Sequence, residues 1–286
     1  MLGQIVKIIS TQYTVLTEDG QNVLAVAMGK LRLGVKPLVG DRVEYELLDN
    51  RYAIQKVLER KNFMVRPAIA NVDQAMIVMS AVKPVFSSQL VDKLIFLISY
   101  RNIEPLLVIT KMDLVKDDDP IHEYIADYRK SGYEVITVGK DRDVEDVKKA
   151  LKGKITVLTG QSGVGKSTLL NRLDEAFAAA TQEISKSMGR GKHTTRHTQF
   201  FEVADGLIAD TPGFSSLDFS RIDALTLAGR IHDFQNAGEC RFKDCKHINE
   251  PDCRVKKKVE AGEISRIRYR NYLETVKLCN QKEDWE

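Results

Sequence analysis

Cysteine is scarce and unevenly spread. The first 239 residues contain none, and three of the four, Cys240, Cys245 and Cys253, fall within fourteen residues, with Cys279 further on. That clustering suits a metal site in a reducing compartment better than a disulfide framework. Long apolar runs are missing too. No stretch approaches the roughly 20 residues of a membrane-crossing helix. The N-terminal MLGQIVKIIS has no basic region ahead of an apolar one, so no secretory leader is expected. The expected compartment is the cytoplasm, without a membrane partner. Charge of one sign is not in large excess: a net charge of +3 and a pI near 8.5 say little alone about nucleic acid. Internal repeats and low-complexity tracts are also absent.

What is present suits a globular chain of two or three domains: 286 residues, 43% hydrophobic and 29% charged. Short strand candidates, Ile5–Ile9, Tyr13–Thr17, Val23–Met28, Arg42–Leu47 and Ala53–Leu58, are parted by turn signals at Asp19-Gly20 and Gly40-Asp41. Five short strands predict a small barrel, with an OB-fold as the leading form beside any other structural barrel. From Asn71 the pattern becomes buried strands alternating with amphipathic helices. Strands are expected at Ala75–Ser80, Leu106–Thr110, Val135–Val138 and Ile155–Thr159, and helices at Gln89–Tyr100, Ile121–Lys130 and Val144–Leu151. That alternation means a parallel sheet with helices on both faces, and ligands in such folds bind at the carboxyl ends of the strands. After about Ser220 the remainder reads as helical, interrupted by the cysteine cluster.

Gly160-Gln161-Ser162-Gly163-Val164-Gly165-Lys166-Ser167 fits G-x-x-x-x-G-K-[ST] without mismatch, after a strand and at the start of a helix over Ser167–Leu173. Thr168 follows inside the same turn. Glycines let backbone N–H groups wrap phosphates, the helix N-terminus favours anions, Lys166 reaches the outer phosphates and Ser167 ligates magnesium. Thr110-Lys111-Met112-Asp113 closes the strand at Leu106–Ile109 and supplies the choice of base. Guanine offers two donors, N1–H and the N2 amino group, and the Asp113 carboxylate can accept both, whereas adenine lacks that pair. Thr137-Val138-Gly139-Lys140 is placed to cap the base with backbone groups.

Asp210-Thr211-Pro212-Gly213 ends the strand at Gly206–Ala209 and matches D-x-x-G, with Asp210 expected to hold magnesium through water and the Gly213 N–H to meet the γ-phosphate. Gly189–Arg196 is a basic segment with the place and composition of a first switch, and either Thr194 or Thr195 completes the magnesium shell. Phe214 stands where many GTPases carry a water-orienting glutamine. His193 is the candidate to orient or polarise the water, the alternative being a solvated loop histidine or a contact to a partner's phosphate. The base loops precede the phosphate loop, the reverse of the usual order, so the domain is circularly permuted.

Cys240-x4-Cys245-x-His247-x5-Cys253 supplies three thiolates and an imidazole, a full set for one tetrahedral zinc per chain. Cys279, 26 residues beyond Cys253, is expected to be a helix residue and not a ligand. Arg254 to Lys277 then holds eight Lys/Arg against three Glu. There Ile264, Ile267, Leu273 and Val276 are expected to form a buried stripe, leaving Arg266, Arg268 and Arg270 outward. Barrel, zinc module and basic switch together point to phosphate contacts on structured RNA, while no RNP-type aromatic signature supports sequence-specific reading.

The motifs at Thr110–Asp113, Gly160–Thr168, Gly189–Arg196 and Asp210–Phe214, with the cysteine cluster, resemble the ribosome small subunit-dependent GTPase A (RsgA) family over nearly the whole chain. The resemblance implies an α/β fold: a circularly permuted P-loop GTPase domain (67–219) between an OB-fold β-barrel (1–66) and a zinc-binding helical module (220–286). It implies GTP hydrolysis stimulated by the small ribosomal subunit, in late maturation of that subunit, with rRNA contacts and a switch histidine, here His193. Val138-Gly139 departs from the family's usual serine-containing cap. A monomer is expected. The competing reading is an OB/zinc RNA-binding module that uses guanine nucleotide as a conformational lock with little turnover.

Overall fold

The computed structural model describes residues 1–28, 35–64, 67–140, 144–174, 199–210 and 217–279. In chain order these form β1 (Leu2–Ile9), β2 (Gln12–Thr17), β3 (Asn22–Ala27), β4 (Arg42–Leu48), β5 (Arg51–Val57), β6 (Phe63–Met64), β7 (Ile69–Ala70), β8 (Gln74–Ser80), α1 (Ser88–Tyr100), β9 (Glu104–Thr110), α2 (Ile121–Lys130), β10 (Glu134–Thr137), α3 (Glu145–Leu151), β11 (Ile155–Thr159), α4 (Lys166–Leu173), β12 (Phe201–Val203) and β13 (Gly206–Asp210). Four helices follow: α5 (Ala224–Ala228), α6 (His232–Gln235), α7 (Arg254–Glu260) and α8 (Arg266–Val276). Two compact units result. One holds 1–74, 144–159 and 166–214; the other holds 75–143, 160–165 and 215–286.

In the first unit, β1 to β5 close into a barrel in the order β1-β2-β3-β5-β4, as five short strands predict. Ile5, Val15, Ala25, Val43, Tyr45 and Ile54 fill its interior. A bulge in β1 between Ile5 and Lys7 turns the Val6 carbonyl out of the β1–β2 ladder, where it accepts the Phe200 N–H at 2.8 Å. Beyond the barrel, β11 pairs with β13 in parallel, and β13 with β12 antiparallel. The short strand β12 is a correction to the all-parallel expectation. Its two-residue turn, Ala204-Asp205, has φ of 51° and 57°, the geometry of a primed hairpin turn.

In the second unit the strand order is β10-β9-β8, with β10 and β9 parallel. β8 is buried along its whole length, as a strand covered on both faces must be. Helix α1 starts on Ser87, whose hydroxyl accepts from the Leu90 N–H. Its apolar side meets α8, where Phe96 and Tyr272 pack edge to face with centroids 6.1 Å apart.

Of the expected stripe, Ile264 is buried and Arg266 and Arg270 are outward, but Ile267 and Arg268 are reversed. Ile267 is exposed, and Arg268 is buried, with 1% of its side chain accessible. The buried face is Arg268, Asn271, Tyr272 and Thr275. Arg268 donates to Asp233 at 2.7 Å, to Asp127 at 2.8 Å, to Asp92 at 3.3 Å and to the Ser131 hydroxyl, and lies over the Tyr128 ring. Burial opposes its charge, but Asp233 and Asp92 outweigh that and raise its pKa. Burial pushes the Asp92 carboxyl up, against lowering by Arg268, Asn271 and Tyr128. Among the described residues no helix is long and apolar enough to cross a membrane.

Candidate functional site: a phosphate loop, a base loop and a Cys3His cluster

Within the second unit, residues 160–165 of the phosphate loop meet the base loop. Gly160 has φ +142°, and a Cβ there would sit 2.1 Å from the Val78 carbonyl oxygen, so only glycine fits. The Thr110 hydroxyl lies 2.5 Å from Val164 O and 3.2 Å from Met79 O, and its single proton serves the nearer acceptor. Lys111 takes a left-handed φ of 61°, and its ammonium donates to Gly163 O at 2.8 Å and to Lys83 O. That side chain thus tethers one loop to the other, a role beyond lying along a base. Strand register places Thr137 opposite Ile109, so both base loops leave the same sheet edge.

Met112 is buried, and its N–H donates to Val138 O at 3.1 Å. Asp113 is exposed in the 3-10 turn Met112–Leu114, and its Oδ1 accepts the Lys140 N–H at 2.9 Å. The capping segment therefore fixes the carboxylate's orientation through a backbone amide, without needing a serine hydroxyl. A side chain at Gly139 would begin 3.3 Å from Asp113 Oδ1, tighter than ordinary contact. Fixed oxygens at the mouth of such a loop can accept a pair of donors from a planar base.

In the first unit, Lys166, Ser167 and Thr168 open α4, the last two exposed. Asp210 ends β13 and pairs in register with Leu158 of β11, two residues before the phosphate loop begins. Gln161, Ser162 and Gly163 are exposed, and Val164 is buried. His193, Thr194, Thr195, Gly213 and Phe214 lie outside the described residues.

The second unit also brings Cys240, Cys245, His247 and Cys253 together, their ligand atoms all within 4.8 Å of one another. His247 Nδ1 lies 3.7, 3.3 and 3.4 Å from the sulfurs of Cys240, Cys245 and Cys253, and the Cys240 and Cys253 sulfurs are 4.0 Å apart. Bonds of about 2.3 Å to sulfur and about 2.0 Å to nitrogen place tetrahedral zinc ligands roughly 3.5–3.8 Å from one another. The donor set fits a metal of that kind. Burial pushes the Cys245 thiol up to about 12 and raises Cys253, and burial lowers His247. The loop is braced from α8: Tyr269 and Tyr272 hydroxyls donate to the carbonyls of His247 and Lys246. Cys279 is buried just past α8, bonded to Thr275 O and outside the cluster. His232, without a sequence pattern, stacks on Tyr133 and faces Glu104.

Comparison with known proteins agrees with this architecture. Residues 57–220 match the family model described as RsgA GTPase, and residues 2–54 match the RsgA N-terminal domain. The chain is 45% identical over 283 residues to "Small ribosomal subunit biogenesis GTPase RsgA" of Bacillus pumilus, covering 95% of each chain. It is 43% identical over 283 residues, again 95% of each, to the protein of the same name from Bacillus subtilis. Among solved structures it resembles YloQ, described as a circularly permuted GTPase, with TM-score 0.83 and 37% identity over 99% of this chain and 96% of that one. It also resembles YjeQ from Thermotoga maritima, with TM-score 0.82 and 36% identity over 98% and 99%. A barrel closed as β1-β2-β3-β5-β4, base loops that precede the phosphate loop, and a family match over more than half the length lead to one conclusion: the chain is a GTP hydrolase of the RsgA GTPase family.

Proposed function

We propose that this chain binds the small ribosomal subunit through its rRNA and hydrolyses GTP there, in late maturation of that subunit. The observation that carries the reading is the extent of the likeness: 95% of this chain and 95% of a protein named for small-subunit biogenesis align end to end. Asp113 selects guanine, with Thr110, Lys111 and Met112 holding its loop. Gly160 to Thr168 wrap the phosphates, and Gly213 meets the γ-phosphate. Ser167, Asp210 and one of Thr194 and Thr195 hold magnesium, which when bound neutralises charge on the phosphates. His193 orients the attacking water in place of the glutamine that Phe214 replaces. The domains run 1–66, 67–219 and 220–286, and the protein works as a cytoplasmic monomer.

The test is sedimentation with purified small subunits, in the presence of a non-hydrolysable GTP analogue or of GDP. The chain is expected to travel with subunits in the analogue state and to be released with GDP. His193→Ala is expected to sediment equally well while losing about 10²- to 10⁴-fold of turnover, the range of a lost water-activating group. Binding indifferent to nucleotide, or full turnover in His193→Ala, would sink the respective assignment.

The metal of the Cys3His cluster is proposed to be zinc, with a structural role, since four protein ligands leave no open position. Elemental analysis of the purified chain is expected to find about one zinc per chain, and Cys245→Ala to reduce that to near zero with loss of the C-terminal module's fold. A folded chain with no zinc would refute the assignment.

A further inference from the structure

The segment between the first two cysteines carries an exposed aromatic side chain. Arg241, Phe242, Lys243 and Asp244 are all exposed, and Phe242 shows 39% of its surface to solvent. Its position is fixed nonetheless. The Cys245 N–H donates to Phe242 O at 3.3 Å, closing the turn, and Cys240 and Cys245 anchor both ends in the metal cluster. The Arg241 guanidinium lies over the Phe242 ring, 5.5 Å from its centroid. A cation on an exposed ring is arranged as in proteins that stack bases on aromatic side chains.

The surroundings point to an anionic ligand. From Cys240 to Lys258 there are seven Lys/Arg and three Asp/Glu. Two of those acids are engaged within the module: Glu250 accepts the Lys246 and Ile248 N–H groups, and Asp252 pairs with Arg241 and Lys257. Beside the turn runs a groove of about 890 Å³ whose charged lining is Arg241, Arg254, Lys257 and Lys258 against Glu239, Asp252 and Glu263, with Lys258 paired to Glu263 at 3.3 Å, so that cations exceed carboxylates by one. Arg241 thus belongs to both the ring and the groove. A protein partner would want apolar area around Phe242, whereas its exposed neighbours in the turn are Arg241, Lys243 and Asp244.

The geometry points to Phe242 as a stacking platform for one unpaired nucleotide of RNA, whose backbone phosphates run along the groove lined by Arg241, Arg254, Lys257 and Lys258. This rests on the proposed function, in that the RNA is taken to be that of the small subunit, and it names the contact. Duplex RNA is disfavoured, because a stacking ring needs a base face that pairing within a helix hides.

The experiment compares Phe242→Ala, Phe242→Leu and Phe242→Tyr for affinity to purified small subunits, with zinc content and GTP affinity measured alongside. Phe242→Ala is expected to weaken binding about tenfold, inside the roughly 5- to 150-fold span of a lost base stack. Phe242→Tyr should retain affinity, with zinc and GTP binding unchanged in both. Phe242→Leu keeps most of the bulk, and so carries the test should Phe242→Ala shed zinc; it too should weaken binding. A second arm replaces the chain's single tryptophan, Trp285→Phe, and adds Phe242→Trp. A single-stranded uridine oligonucleotide should quench that emission, and the same strand paired with its adenosine complement should not. Unchanged subunit affinity in Phe242→Leu overturns the platform and leaves the proposed function standing, as does leucine serving as well as tyrosine, which indicates an apolar protein contact. Failure of the unsubstituted chain to bind subunits would instead remove the proposed function, and the platform with it.

Discussion

Asp113→Asn is expected to lower GTP affinity by about 10²- to 10⁴-fold and to make xanthosine triphosphate the better ligand. The carboxylate presents only acceptors, and one oxygen is already turned by the Lys140 N–H at 2.9 Å. In the proposed role, guanine's two donors would meet those acceptors in charge-assisted bonds worth about 1.5–3 kcal/mol each, and two such bonds lost correspond to that span of affinity. An amide places an NH2 group against the guanine N2 donor, an unfavourable pairing. Xanthine carries an oxygen at that carbon and accepts from the amide. Because Lys111 still ties its loop to Gly163 O, the phosphate loop should be undisturbed and the change confined to the base. Competition binding with GTP, xanthosine triphosphate and ATP measures this. GTP preference unaltered by the substitution would contradict the role given to the base loop.

Arg268→Ala should cost about 3–5 kcal/mol of stability, the range for stripping one partner from a buried ion pair. Asp92 and Asp233 are buried with Arg268, and Asp127 is partly so. These carboxylates come from α1, α2 and α6, and Arg268 from α8 is the cation they share. Lysine is not a substitute, since one ammonium cannot fork among Asp92, Asp127, Asp233 and Ser131 in a plane. Arg268→Lys is therefore expected to lose most of the same energy. Combining Arg268→Met with Asp92→Asn and Asp233→Asn should recover a large part of it, because the uncompensated charges go as well. Urea unfolding of the three variants decides the matter. A loss under about 1 kcal/mol for Arg268→Ala would mean that the carboxylates relax to solvent or protonate without strain.

The contrast between Asp113 and Arg268 explains what could be read in the chain. The strand, loop and helix around Gly160–Ser167, the strand end at Thr110 and the Cys3His cluster are legible because the chemistry proposed for them needs residues close in sequence. Backbone amides around one phosphate come from one short loop, and a four-ligand metal turn closes within fourteen residues. The barrel strands are legible because short strand-forming runs are parted by turn signals at Asp19-Gly20 and Gly40-Asp41. Arg268 is different. Its burial depends on Asp92, Asp127 and Asp233, which lie 176, 141 and 35 positions away. Helical periodicity scores an arginine as outward and an isoleucine as inward, so it turned α8 toward Ile267. The strand β12 escaped for a local reason: its turn asks Ala204 to adopt a positive φ, which alanine does not advertise. The orientation of Asp113 by Lys140 was hidden too, because a backbone amide has no residue signature.

GTP turnover is proposed to belong to the encounter with the small ribosomal subunit. The direct measurement is phosphate release from GTP and from ATP, with and without purified small subunits. Slow release is expected from GTP alone, with acceleration by about 10²-fold or more at saturating subunits and no comparable release from ATP. Release from GTP that is the same with and without saturating subunits would contradict it.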